Sequence, residues 1–81
     1  KDPAFRAEYD KLKPEFELIR ALLEARAKAG LTQAEVAKRM GTTQSVVARI
    51  ESGRAAPNLK TLDRYARAVG RRIAVKLVPA A

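Results

Sequence analysis

Gln44, Ser45, Val46 and Arg49 fall within two turns of one short helical run, QSVVARIES. Their side chains suit the edges of nucleic-acid bases. A glutamine amide can bond bidentately to adenine, arginine can do the same to guanine, serine can serve either, and valine methyls can touch a thymine methyl. Thr32 and Thr43 precede helical runs, where free amides and the helix dipole can receive a phosphate. Gln33, at the start of the first run, is placed for a phosphate or backbone contact. Arg54, Asn58 and Lys60 lie on a connector and the start of the next helix, and their side chains suit phosphate oxygens.

Other chemistry is poorly supplied. The chain has no Cys and no His, so disulfides, thiol nucleophiles, imidazole bases and structural zinc sites are excluded. Glu15 and Glu17 are neighbouring carboxylates, but residues two apart on a helix point apart. Ser45 has no local base, and no Gly-rich phosphate loop is present. The sequence therefore predicts a binding protein without enzyme activity, cofactor or metal.

The charge supports a polyanion as partner. Lys plus Arg number 17 and Asp plus Glu 9, a net charge of +8. Residues 1–35 hold seven basic and seven acidic residues, whereas residues 36–81 hold ten and two. The whole excess lies in the second half, as expected of a surface that faces nucleic acid.

The elements that must position these residues read as helices. Asp2-Pro3 opens a short helix that carries Phe5, Tyr9 and Leu12 on one stripe, and Pro14 interrupts it. The next helix runs from Pro14 to Ala29, with Phe16, Ile19, Leu22 and Leu23 as its apolar stripe and Gly30 as its stop. Thr32-Gln33-Ala34-Glu35 is a capping box that starts a third helix, ending at Met40-Gly41. Thr42 or Thr43 caps a fourth that ends at Gly53. Asn58 caps a fifth, with Leu59, Leu62, Ala66 and Val69 on one face. From Arg71 to Pro79 the period becomes two, with Ile73, Val75 and Leu77 alternating with Ala74, Lys76 and Val78, which predicts a strand.

Leu31 to Gly53 thus holds two short helices joined by a tight turn, with Val36, Ala37, Val47 and Ile50 facing inward. Such a pair sets its second helix proud of the body, where it can enter a major groove. This segment resembles the helix-turn-helix of the phage Cro and repressor family. The likeness is carried by Leu31-Thr32-Gln33, Ala37, Gly41, Gln44-Ser45 and Ile50-Glu51-Ser52-Gly53-Arg54. The resemblance implies base reading by Gln44, Ser45 and Arg49, a backbone contact by Gln33, and an ion pair between Arg26 and Glu51 that serves stability. Together these readings predict an all-α, compact helix-turn-helix bundle of four to five helices with one C-terminal strand. The expected divisions are an N-terminal helical extension at 1–13, the DNA-binding domain at 14–70 and a dimerisation strand at 71–81.

A lone strand leaves its ladder groups unpaired. Pairing across a homodimer would satisfy them and present two recognition helices to a palindromic operator; strand addition to a different protein is the alternative. The ending LDRYARAVGRRIAVKLVP, with DPAFRAEYDKLKPEFELIRAL before the motif, resembles antitoxins of the HigA type. That resemblance implies neutralisation of a RelE- or ParE-like protein toxin and repression of the shared operon. Phe5, Tyr9 and Leu12, at the spacing of a helix laid in a groove, suit a toxin contact; packing on the domain's own core is the alternative. A stand-alone transcriptional repressor is the alternative. No apolar run approaches the ~18 residues of a membrane span and no signal pattern is present, so a cytoplasmic location is expected.

Overall fold

A computed structural model of the chain describes residues 14–54 and 57–80. The predicted helix over Phe5, Tyr9 and Leu12 lies outside these residues. The described part contains four helices: α1 (Pro14–Ala29), α2 (Gln33–Met40), α3 (Gln44–Ser52) and α4 (Leu59–Ala68). This is the helical bundle that the periodicity predicts.

Local chemistry sets the boundaries of the helices. Thr32 accepts a hydrogen bond from the Glu35 amide, and the Glu35 carboxylate accepts one from the Thr32 amide at 2.8 Å. This closed box satisfies two of the donors that a helix start leaves free. Thr43 caps α3 by accepting from the Val46 amide, and Asn58 caps α4 by accepting from the Thr61 amide at 2.8 Å. Between α2 and α3, Gly41 adopts φ 72°. Its amide donates to the Lys38 carbonyl and the Thr42 amide donates to the Ala37 carbonyl. This paired C-terminal closure turns the chain within three residues and requires a left-handed position.

The core is a single apolar cluster to which every helix contributes. Ile19 and Leu22 enter it from α1, Val36, Ala37 and Met40 from α2, and Val47 and Ile50 from α3. Leu62, Tyr65, Ala66 and Ala68 enter from α4, with Val69 beyond its end. Val36, Val47 and Tyr65 are completely buried. Two large apolar residues of the expected stripes stay outside. Phe16 is half exposed and its ring lies over Gly53, and Leu59 is exposed at the first turn of α4. Both sit in the first turn of their helices.

The predicted C-terminal strand is not formed. Residues 71–80 carry no regular secondary structure. Ile73 packs against the core and its amide donates to Asp63 Oδ1, but Val75 and Leu77 are exposed. Alternation sets which face each side chain takes. A strand also requires a ladder partner, and no described segment supplies one.

Gly41 and Gly53 give a paired test. A Cβ on Gly41 meets nothing within 4 Å, whereas on Gly53 (φ +71°) it comes within 2.9 Å of the Phe16 ring. Gly41→Ala should cost about 1–2 kcal/mol, the left-handed penalty alone, and Gly41→Asn should recover part of it. Gly53→Ala should cost more, because the Phe16 ring must also move. Urea titration of the three variants checks the order.

Candidate nucleic-acid interface

Helix α3 is anchored by Val47 and Ile50, which are buried. With those two inside, the helical period turns Gln44, Ser45, Val46 and Arg49 outward, and all four are exposed. Val46, 38% exposed, adds an apolar patch among polar neighbours. The first turn of α3 contains no acidic residue, so its positive dipole end is not offset locally. Ser45 Oγ and Thr43 Oγ1 lie 3.2 Å apart, which links the cap to a side chain of the exposed face.

Beneath this face lies the Glu51 carboxylate. Arg26 grips it bidentately, with Nε to Oε2 at 2.7 Å and an Nη2 contact to Oε1 at 3.1 Å. The third arginine nitrogen, Nη1, donates to the Leu31 carbonyl at 3.0 Å. The Tyr65 hydroxyl donates to Oε2, and Gln33 Nε2 donates to Oε1 at 2.8 Å. The Arg26–Glu51 pair implied by the resemblance is therefore present, inside a larger network. The Glu51 side chain is only 8% exposed. Removing one partner of such a pair costs about 3–5 kcal/mol, because the other charge stays buried.

Burial pushes the Glu51 carboxyl up. Hydrogen bonds from Tyr65, Arg26 and Gln33, with the Arg26 charge, outweigh that and hold it below the usual carboxylate range. Arg26 is raised in turn, first by its hydrogen bond to Glu51. Burial and the bond to Glu51 raise the Tyr65 hydroxyl far above the ordinary phenol value.

The network reaches the exposed face through Gln33. Gln33 Oε1 accepts from Gln44 Nε2 at 3.3 Å. The structure thus brings Gln33 and Gln44 together at the junction of the α2 start and the α3 start. The remaining phosphate candidates are spread around them. At Thr32 both the amide and the hydroxyl are engaged by Glu35, whose carboxylate already sits at the α2 start. Asn58 uses its oxygen as the α4 cap, and Arg54 and Lys60 are exposed.

The positive charge of the second half is not all on this face. Arg39 donates to the Ala68 carbonyl at 3.0 Å, and Arg64 donates to the Met40 carbonyl. These two arginines brace the carboxyl ends of α2 and α4 against each other. Arg67 pairs with Asp63 at 2.8 Å. A sequence count assigns all ten cations to one surface; two of them tie α2 to α4 instead, and a third pairs within α4.

Tyr65 is the functional residue that sequence reading missed. Its signal is its place three residues after Leu62 on the α4 stripe, but nothing in the sequence shows its hydroxyl meeting Glu51. The Gln33–Glu51 contact, eighteen residues apart, has no periodic signal either.

Acid should act on this network. The folded pKa of Glu51 lies below its unfolded value, so the unfolded chain binds the proton more readily. The stabilisation is present above the ordinary carboxylate range and is lost as the pH falls through the lower folded value. Unfolding titrations from neutral into acid pH should show this loss, and Glu51→Gln should reduce it, leaving the share of Glu35 and Asp63, which are also held low. An equal acid dependence in the variant would contradict the assignment.

The comparisons with known proteins agree with this geometry. The helix-turn-helix family profile matches residues 17–75. The chain is 40% identical over 76 residues to proteins named Antitoxin HigA1 from two strains of Mycobacterium tuberculosis, CDC 1551 / Oshkosh and H37Rv. That alignment covers 94% of this chain and 51% of theirs, so the chain spans about half the length of these curated relatives. It is also 46% identical over 48 residues to an uncharacterised HTH-type transcriptional regulator of Methanothermobacter thermautotrophicus, covering 59% of this chain and 70% of that one. No solved structure matches. By its profile match and by the helix pair that this profile spans, the chain belongs to the Cro- and phage-repressor-like helix-turn-helix family and is similar to HigA antitoxins.

Proposed function

We propose that this protein is a cytoplasmic DNA-binding antitoxin that neutralises a RelE- or ParE-like toxin and represses its own operon. The observation that carries the reading is the extent of the HigA1 similarity. It takes in 94% of the chain, well beyond the two helices of the motif. A relative named as an HTH-type transcriptional regulator, from Methanothermobacter, favours a second reading, a stand-alone repressor.

In this proposal α3 enters the major groove. Gln44, Ser45, Val46 and Arg49 read base edges, and Gln33, Thr43, Arg54, Asn58 and Lys60 hold the backbone. One such helix covers few base pairs, so the chain acts as a homodimer on a palindromic operator. Of the dimer-strand residues Ile73, Val75 and Leu77, the last two, at 72% and 97% exposure, are the apolar surface offered to a second copy. Strand pairing there would arise only on association. The toxin contact at Phe5, Tyr9 and Leu12 lies outside the described residues. The chain binds its partners and performs no catalysis.

Two variants separate base reading from simple charge attraction. Arg49→Ala should relax the preference at one base pair by about 1–3 kcal/mol. Arg54→Ala should weaken binding to every sequence and lower the salt slope by about one. Equal losses on all sequences for both variants would contradict the assignment.

The antitoxin reading is tested by growth. The neighbouring open reading frame is expressed with and without this chain. Arrest alone and rescue together are expected. Absence of arrest, or arrest without rescue, would favour the stand-alone repressor.

A further inference from the structure

We infer that Glu51 is a positioning residue for base recognition: through Gln33 it fixes which end of the Gln44 amide faces the DNA. The inference rests on the reading that α3 contacts bases.

An ionised carboxylate accepts hydrogen bonds and donates none, at about four lone-pair sites. At Glu51 four donors are present: two from Arg26, one from Tyr65 and one from Gln33. Gln33 must therefore present its NH2 group to Glu51, because its oxygen would meet an anion. With the nitrogen so directed, Gln33 Oε1 faces Gln44, and an oxygen can only accept. Gln44 must then turn Nε2 toward Gln33, as the 3.3 Å contact shows. Each amide orientation follows from the previous one, and the chain of reasoning starts at a charge that cannot reverse.

The outcome is an ordered pair on the exposed side of Gln44. Its oxygen and its second N–H point outward in a set sequence. That arrangement fits the donor and acceptor of an adenine edge in one register and opposes the two acceptors of guanine. Without a fixed anion, an amide in place of Glu51 could donate to Gln33 and reverse both glutamines. Arg26 and Tyr65 matter in the same way, because they keep the carboxylate ionised and still. Preordering also removes a rotamer that would otherwise be immobilised on binding.

This role differs from a purely structural one in what it predicts. Loss of stability alone would weaken binding to all sequences. Loss of amide order flattens the preference at a single base pair.

The test is selection from a randomised duplex library by the full chain and by Glu51→Gln and Gln44→Ala. Gln44→Ala identifies the base pair beneath Gln44. Glu51→Gln is expected to lower the adenine preference at that pair by about tenfold and to leave the other positions as they are. Retention of the preference in Glu51→Gln would overturn the proposal. A second measurement needs no substitution. In the free protein, solvent exchange of the Gln33 side-chain amide protons should be hindered, as read by NMR. Exchange as fast as that of an exposed glutamine would overturn the proposal even if Glu51→Gln does not fold. If the unmodified chain shows no base preference at all, the DNA-reading function fails, and the exchange measurement still decides whether Glu51 holds Gln33.

Discussion

A single buried carboxylate fixes how the four helices meet. Glu51 stands on α3 and receives donors from Arg26 of α1, Gln33 of α2 and Tyr65 of α4. A buried charge is tolerated only when it is paired and fully hydrogen-bonded. The three donor residues must therefore converge on one point, and their helices must converge with them. The apolar core around Val36, Val47 and Tyr65 supplies the main driving force, but burial is not directional. The directional part comes from Glu51.

The exposed face of α3 depends on the same constraint. Val47 and Ile50 set the rotation of α3, and Glu51, one residue beyond Ile50, ties its carboxyl end to the rest of the bundle. The exposed face is thus held on a rigid base. The two ends of the bundle have different work. At one end, the starts of α2 and α3 bring Gln33 and Gln44 together, and the α3 start carries no acidic side chain of its own. At the other, Arg39 and Arg64 close the carboxyl ends of α2 and α4.

Much of this was legible in the sequence, and what was legible was local. The Thr32–Glu35 box, the Gly41 turn and the Asn58 cap depend on residues within a few positions of each other, and each is found as read. The inward residues Val36, Ala37, Val47 and Ile50 follow from helical spacing. Arg26–Glu51 came from resemblance, since nothing in the spacing joins residues twenty-five apart. Tyr65 was hidden because its type and position also suit a plain core residue. Apolar type alone does not separate Phe16 and Leu59, which stay exposed in the first turns of their helices, from the core residues of the same stripes. The strand over Ile73, Val75 and Leu77 was read from alternation, which cannot show whether a ladder partner exists.

The most direct test of the central claim is an NMR titration of the labelled chain with a duplex of arbitrary sequence at low salt. Backbone shift changes should concentrate at Gln33, Thr43–Arg49 and Arg54, on the face that Glu51 supports. Changes centred instead on Arg39, Arg64 and Arg67 would place the polyanion at the opposite end of the bundle and contradict the account.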